Sequence, residues 1–279
     1  MMGIFDHAWL PKTRCGQSCV SAGLGESENS VLEGIRILRR LASALVVFPT
    51  LLLLAIPLPG RIRFQRSYCR LMLRCLGVRV ALTGNPIRNL SGVLVVSNHV
   101  SWVDVFAIGA VMPGSFVARA DLVDWPGLGF AVRLMNVIPI DRASLRRLPL
   151  VVGAVAQRLS AGRTVVAFPE GTTWCGPDFG PFRPAMFQAA IDTGRPVQPL
   201  RLTYRHRDGR PSTVTAFLGE DSLWASLKRI ARARHTVVGV EVHSLQLPGS
   251  GRRDLAARCE MAVRGRRNGD HLPELAIGA

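Results

Sequence analysis

With 279 residues and 48% hydrophobic side chains, the chain is long enough for one large domain or two small ones and too apolar to be disordered throughout. Its formal charge is +16, from 35 basic residues against 19 acidic ones; only Lys12 and Lys228 are lysines, which leaves 33 arginines. That charge draws the protein toward anionic lipid headgroups or phosphorylated substrates, whereas 6% aromatics and scattered arginines, with no recognition motif, argue against a nucleic-acid partner.

Residues 1–30 are rich in Gly and Ser, without sustained periodicity or the basic start and apolar block of a signal peptide, and read as a mobile tail. Residues 31–77 read as a membrane-associated helical segment. Within it, 41–59 carries no charge in 19 residues, nearly the ~20 apolar residues that a bilayer span needs. Pro49 interrupts the run and Pro57 and Pro59 close it, so a bent or re-entrant path stands beside a straight span, and a buried hairpin of a soluble protein is the alternative to both. Arg36, Arg39 and Arg40 flank it on one side. On the other, Arg61, Arg63, Arg66, Arg70 and Arg74 alternate with Ile62, Phe64, Tyr68, Leu71 and Leu73, as in a helix lying in an anionic interface. The basic flanks place the C-terminal side on the cytoplasmic face of a membrane.

From residue 78 to 265 the pattern is α/β: a mixed central sheet flanked by helices. Strands are predicted at 78–82, 93–97, 115–118, 137–140, 164–168, 197–203, 214–218 and 237–242, and helices at 102–111, 145–160, 181–192, 223–232 and 252–264. Residues 266–279 read as a loose C-terminal tail. Cysteines 15, 19, 69, 75, 175 and 259 show no paired C-x-x-C spacing and do not cluster with histidines in the sequence, so free thiols are expected and a structural zinc is not.

Chemistry concentrates at predicted strand ends. His99 and Asp104, in Asn98-His99-Val100-Ser101-Trp102-Val103-Asp104, sit where a buried strand gives way to a helix. An i, i+5 spacing does not share a helical face, so the two meet only if His99 lies in the turn and Asp104 in the first helical turn. Together they read as a carboxylate-oriented general base, or as helix punctuation in which Ser101 and Asp104 form a capping pattern. Phe168-Pro169-Glu170-Gly171-Thr172 follows another apolar strand. Arg119 and Arg142 follow two more, each able to fork onto a phosphate or to pair with Asp121 or Asp141 nearby.

The order of these pieces resembles the phospholipid/glycerol acyltransferase family, and within it the 1-acylglycerol-3-phosphate acyltransferases. Asn98-His99-x4-Asp104 matches the first block of that family and Phe168 to Thr172 the third. Residues 136–142 resemble the second block, with Asn136 where glycine is usual and Pro139 where an aromatic is usual, and 196–200 resemble the fourth. The resemblance implies that His99, held by Asp104, deprotonates the free sn-2 hydroxyl of lysophosphatidic acid, which then attacks the thioester of acyl-CoA or acyl carrier protein. It further implies that Arg142 and Arg119 hold the acceptor's phosphate, with Arg183 a further candidate, and that Glu170, Gly171 and Thr172 position its glycerol. No metal or organic cofactor is implied, and the acyl donor is a co-substrate. Competing expectations are the same chemistry on an ornithine lysolipid, glycerol 3-phosphate or another lysophospholipid, a thiol hydrolase built on Cys175, and a non-enzymatic membrane-binding protein.

Overall fold

A computed structural model describes residues 10–21, 30–55, 60–88, 90–124, 128–142, 144–249 and 251–265. Seven strands form one sheet: β1 (Val78–Gly84), β2 (Leu94–Ser97), β3 (Ser115–Arg119), β4 (Ile138–Ile140), β5 (Val165–Ala167), β6 (Val197–His206) and β7 (Thr236–Val242), in the order β1-β7-β6-β2-β5-β3-β4. β6, β2, β5, β3 and β4 run parallel, while β7 is antiparallel to β6 and carries β1 parallel to itself. The C-terminal ends of β2, β5, β3 and β4 thus line one edge, where open parallel sheets bind ligands.

Nine α-helices are assigned among the described residues: α1 (Gln17–Ser21), α2 (Ser30–Val47), α3 (Arg61–Cys75), α4 (Val103–Gly109), α5 (Leu128–Leu134), α6 (Leu148–Ser160), α7 (Phe187–Thr193), α8 (Leu223–Arg232) and α9 (Arg252–Arg264). Strand alternation divides the core. Val93, Val95, Phe116 and Val240 pack with Leu73 of α3, Ile108 of α4 and Ile230 of α8, whereas Leu94, Val96, Val165 and Val197 pack with Val155 of α6, Phe187 of α7 and Leu255 of α9. Helices therefore cover both faces of a mixed sheet, as expected.

Departures from the expected elements have local causes. Residues 214–218 are buried but form no strand: the Arg229 guanidinium takes the carbonyls of Val214 and Ala216 at 2.8 and 2.7 Å, and the Phe217 N–H donates to the Val100 carbonyl at 3.0 Å. The helix expected at 181–192 begins only at Phe187, because the N–H groups of Phe182 and Arg183 donate outward to Glu260 Oε2 (2.8 Å) and the Pro169 carbonyl (2.9 Å). α5, and a 3₁₀ turn over Ala120–Asp124, lie where no helix was expected. The tail assigned to 1–30 is not loose throughout, since α1 packs into the core with Cys15 and Val20 buried. The expected C-terminal tail, 266–279, lies outside the described residues.

α2 continues into a 3₁₀ helix, Phe48–Ala55, and this 26-residue run, Ser30–Ala55, contains an 18-residue stretch apolar enough to cross a membrane, with a mean hydropathy of 1.9. Its first half is fastened to the domain. Arg40 is buried and donates to the carbonyls of Ala231 and Arg234 at 3.1 and 2.9 Å, Arg36 donates to the Arg232 carbonyl at 3.0 Å, and Arg232 pairs with Glu33 at 2.8 Å. Two arginines thus serve the carbonyls at the C-terminal end of α8, where cations are favoured. Beyond them Leu45, Val46, Phe48, Leu52 and Leu53 are exposed.

Candidate active site

β2 is fully buried, and its exit is fixed by a side chain imitating a strand partner. Asn98 Nδ2 donates to the Leu202 carbonyl at 3.0 Å, and Asn98 Oδ1 accepts from the Leu202 N–H at 2.8 Å. The chain then turns and presents His99, and α4 begins four residues later with Asp104 in its first turn. His99 Nδ1 lies 2.8 Å from Asp104 Oδ2, which meets the condition the i, i+5 spacing set.

Asp104 is fully buried yet amply served. Oδ2 also accepts from the N–H groups of Val100 (2.7 Å) and Ser101 (2.9 Å), and Oδ1 accepts from the Tyr204 hydroxyl at 2.5 Å. Helix punctuation and histidine orientation are therefore done by one carboxylate. A carboxylate only accepts, so it selects the imidazole tautomer with the proton on Nδ1 and leaves the Nε2 lone pair as a base. Burial, reinforced by the charge of Asp104, pushes the Tyr204 phenol well above its ordinary range and keeps it a donor. The ring of Phe168 stacks on the imidazole with centroids 4.0 Å apart and 13° between planes. The His99 side chain is 15% exposed.

Glu170 is committed to backbone donors of the loop. It is 3% exposed, and Oε2 accepts from the His99 N–H at 2.7 Å while Oε1 accepts from the Gly180 N–H at 3.2 Å. Its carboxylate is turned to backbone, so it clasps the histidine turn to the 170–180 loop. Burial pushes its pKa up to about 8 against the pull of those two N–H groups. The Trp174 N–H adds a bond to the His99 carbonyl at 2.8 Å. Gly171, at φ +74°, is so close to Pro11 that a Cβ there would stand 2.6 Å from Pro11 Cγ, which is why glycine fits. Thr172 is half-buried beside it.

Arg119 and Arg142 end neighbouring strands at the same sheet edge, but they differ in commitment. Arg119 is exposed and held at two points by Asp121, at 2.9 and 2.6 Å. Arg142 is half-buried and makes no side-chain hydrogen bond among the described residues; burial, then the charge of Arg119, lowers its pKa to about 10. Asn136 has φ +53°, which explains both why glycine would suit that position and why asparagine is tolerated. Arg183 is exposed next to Gly171, and with Lys12, Arg14, Glu170 and Trp174 it lines a cavity of about 440 Å³. A much larger groove, of about 2920 Å³, is lined by arginines of α3, by Val93, Ser115 and Thr164 at the starts of strands, and by Arg205 and Arg207 at and past the end of β6; His99 is not on its walls.

Sequence reasoning missed Tyr204, Asn98 as a bridge and Phe168 as a stacking plate. Tyr204 carried a faint signal, being one of two tyrosines in the chain and one residue past a predicted strand.

Comparison with known proteins decides what this arrangement belongs to. Residues 79–203 match the acyltransferase family model, a stretch that holds Asn98, His99, Asp104, Phe168 and Glu170 and stops one residue short of Tyr204. A lyso-ornithine lipid O-acyltransferase from Pseudomonas aeruginosa is 32% identical over 207 residues, covering 74% of this chain and 79% of that protein. The chain belongs to the phospholipid/glycerol acyltransferase family. As an O-acyltransferase it is also 41% identical over 151 residues to a 1-acyl-sn-glycerol-3-phosphate acyltransferase from Neisseria gonorrhoeae, covering 54% of this chain and 59% of that protein. The acyltransferase fold is shared with the crystal structure of the 1-acyl-sn-glycerophosphate (LPA) acyltransferase from Thermotoga maritima, at a TM-score of 0.62 and 20% identity over 84% of this chain and 94% of that one.

Proposed function

We propose that this acyltransferase moves an acyl chain from acyl-CoA or acyl carrier protein to the free hydroxyl of a membrane lysolipid, with lysophosphatidic acid as acceptor and phosphatidic acid as product. The observation that carries the reading is the contact of His99 Nδ1 with a buried, four-times-bonded Asp104 at 2.8 Å, with Phe168 flat against the ring. Nε2 takes the acceptor's hydroxyl proton as its oxygen attacks the thioester carbonyl. The carbon–sulfur bond then breaks, and the departing thiolate takes the proton back from the imidazolium. The substrate brings the nucleophile and the thioester brings the leaving group, so no step calls on a metal or an organic cofactor.

Phosphate recognition rests on Arg142, whose fork makes no hydrogen bond among the described residues, with Arg119 able to join only by leaving Asp121. Arg183 and the basic cavity around it are a second position for an anionic part of either substrate. A lyso-ornithine lipid acceptor is the second reading, favoured by a relative that matches over 207 residues and carries that name. Cys175 is a poor nucleophile by contrast: it is 3% exposed, and burial pushes its thiol up to about 12. The exposed apolar run after Arg40 supports membrane association, with the active site on the cytoplasmic face.

The test is acyl transfer by the purified protein in liposomes, with labelled acyl-CoA, acyl carrier protein as alternative donor, and a panel of lysolipids. Transfer to lysophosphatidic acid is expected, falling by about 10² to 10⁴ in His99→Ala. Turnover on lyso-ornithine lipid alone would move the reading to the second acceptor, and full activity in His99→Ala would remove His99 as the base.

A further inference from the structure

Cysteines scattered in sequence meet in space beside the catalytic loop. The Sγ atoms of Cys15, Cys19 and Cys175 all lie within 4.8 Å of one another, with Cys15 and Cys175 buried and Cys19 half-buried. We propose that these three thiols form a soft-metal site, a trithiolate suited to zinc(II), which fastens the N-terminal segment onto the acyltransferase domain. Sequence spacing hid it because Cys175 is far from the Cys15-x3-Cys19 pair.

The geometry is close to what such an ion requires. Tetrahedral zinc–thiolate bonds of about 2.3 Å set the sulfurs about 3.8 Å apart, so the cluster needs only small side-chain adjustments. One backbone donor already faces the cluster. The Asp178 N–H donates to Cys175 Sγ at 3.4 Å, across a turn that Gly176 makes at φ +100°. The loop bearing the other two is already curled, with the Cys15 N–H on Thr13 Oγ1 (3.1 Å) and the Cys19 N–H on the Gly16 carbonyl (3.1 Å). Three thiolates around a dication leave one negative charge, and Lys12 and Arg14 are their neighbours in the chain. A fourth position remains for water.

Such a site joins two otherwise separate pieces. Cys175 lies five residues past Glu170, whereas Cys15 and Cys19 belong to the segment that sets Pro11 against Gly171 and lines the 440 Å³ cavity with Lys12 and Arg14. Each of the three thiols gives up its proton on binding the ion.

The experiment is anaerobic titration of the reduced full-length protein in detergent with cobalt(II), then zinc(II). One cobalt per chain is expected, with a thiolate-to-cobalt charge-transfer band in the near ultraviolet and the strong visible bands of tetrahedral cobalt, all bleached by zinc. Cys19→Ser should weaken binding by about 100-fold or more, since removing even an outer-shell partner costs about 10- to 100-fold, while Cys75→Ser, outside the cluster, should leave it intact. A second measurement needs no variant: zinc should protect Cys15 and Cys19, and not Cys75, from alkylation as mapped by mass spectrometry. Absence of the charge-transfer band in protein with its thiols reduced, a band unchanged in Cys19→Ser, or alkylation of Cys19 indifferent to zinc would each overturn the proposal. All these readouts are independent of acyl transfer.

Discussion

At the scale of single residues, the site is a set of clasps around one imidazole, and Tyr204 and Glu170 test it in different ways. Tyr204→Phe removes a buried donor to a charged carboxylate, a bond worth about 1.5–3 kcal/mol, and leaves the His99 contact with Oδ2 in place. Thermal unfolding should register that loss of stability, and kcat should fall far less than in Asp104→Asn, where the imidazole loses its anionic partner. Equal losses in the two variants would mean that Tyr204 acts on the reaction itself. Glu170 gives a pH dependence. Its folded pKa, about 8, stands above the ordinary carboxylate value of 4.5, so between those pH values the folded state holds a proton that the unfolded state has released. Stability therefore falls as pH rises through that window, and the loss is complete above about 8. Glu170→Gln removes the titration and keeps one acceptor for the two N–H groups. Melting temperatures measured from pH 5 to 9 should drop less steeply for the variant than for the parent; parallel curves would show that Glu170 does not carry the slope.

At the scale of elements, what was legible was what a repeat of two or a buried apolar run encodes. β2 and β5 read as strands because Leu94 to Ser97 and Val165 to Ala167 are buried throughout, and the polar groups just beyond them had to lie at the sheet edge. Residues 214–218 share that apolar look but are coil, because their carbonyls are satisfied by Arg229 from another element, a long-range bond that periodicity does not carry. The same limit hid the direction of Glu170: a sequence displays a carboxylate and not the backbone N–H groups that claim it. α2 was legible as apolar, but its docking through Glu33, Arg36 and Arg40 was not; Val31, Leu32, Ile35 and Leu38 stay exposed on the docked half, and Leu45, Val46, Leu52 and Leu53 continue that apolar surface past Ser43. Replacing Leu45, Val46, Leu52 and Leu53 with serine should release the protein from liposomes in a flotation assay. Full burial of such a side chain contributes about 1.5–3 kcal/mol, so even partial burial of four implies a fall of about 100-fold or more in partitioning. Unchanged flotation would locate the membrane contact elsewhere. Since Arg36 and Arg40 are untouched, the variant should keep the melting temperature of the parent.

At the scale of the whole molecule, charge and hydrophobicity act on the same surface through different ranges. The chain carries +16, and arginines of α3 crowd the large groove that His99 does not line, next to the apolar run. Apolar insertion depends little on ionic strength, whereas attraction to anionic headgroups is screened over about 8 Å at physiological salt. The two contributions therefore separate in one experiment. Binding to vesicles containing anionic lipid should weaken steeply as salt is raised, and binding to neutral vesicles should be weaker at low salt and nearly flat. If each basic side chain near the surface contributes about 1 kcal/mol, replacing Arg63, Arg66 and Arg70 with glutamine should cost about 100-fold in affinity for anionic vesicles and leave the neutral series unmoved. A salt response that persists in full after those replacements would assign the attraction to arginines elsewhere on the molecule, and equal salt curves for both vesicle types would show that the net charge takes no part in docking.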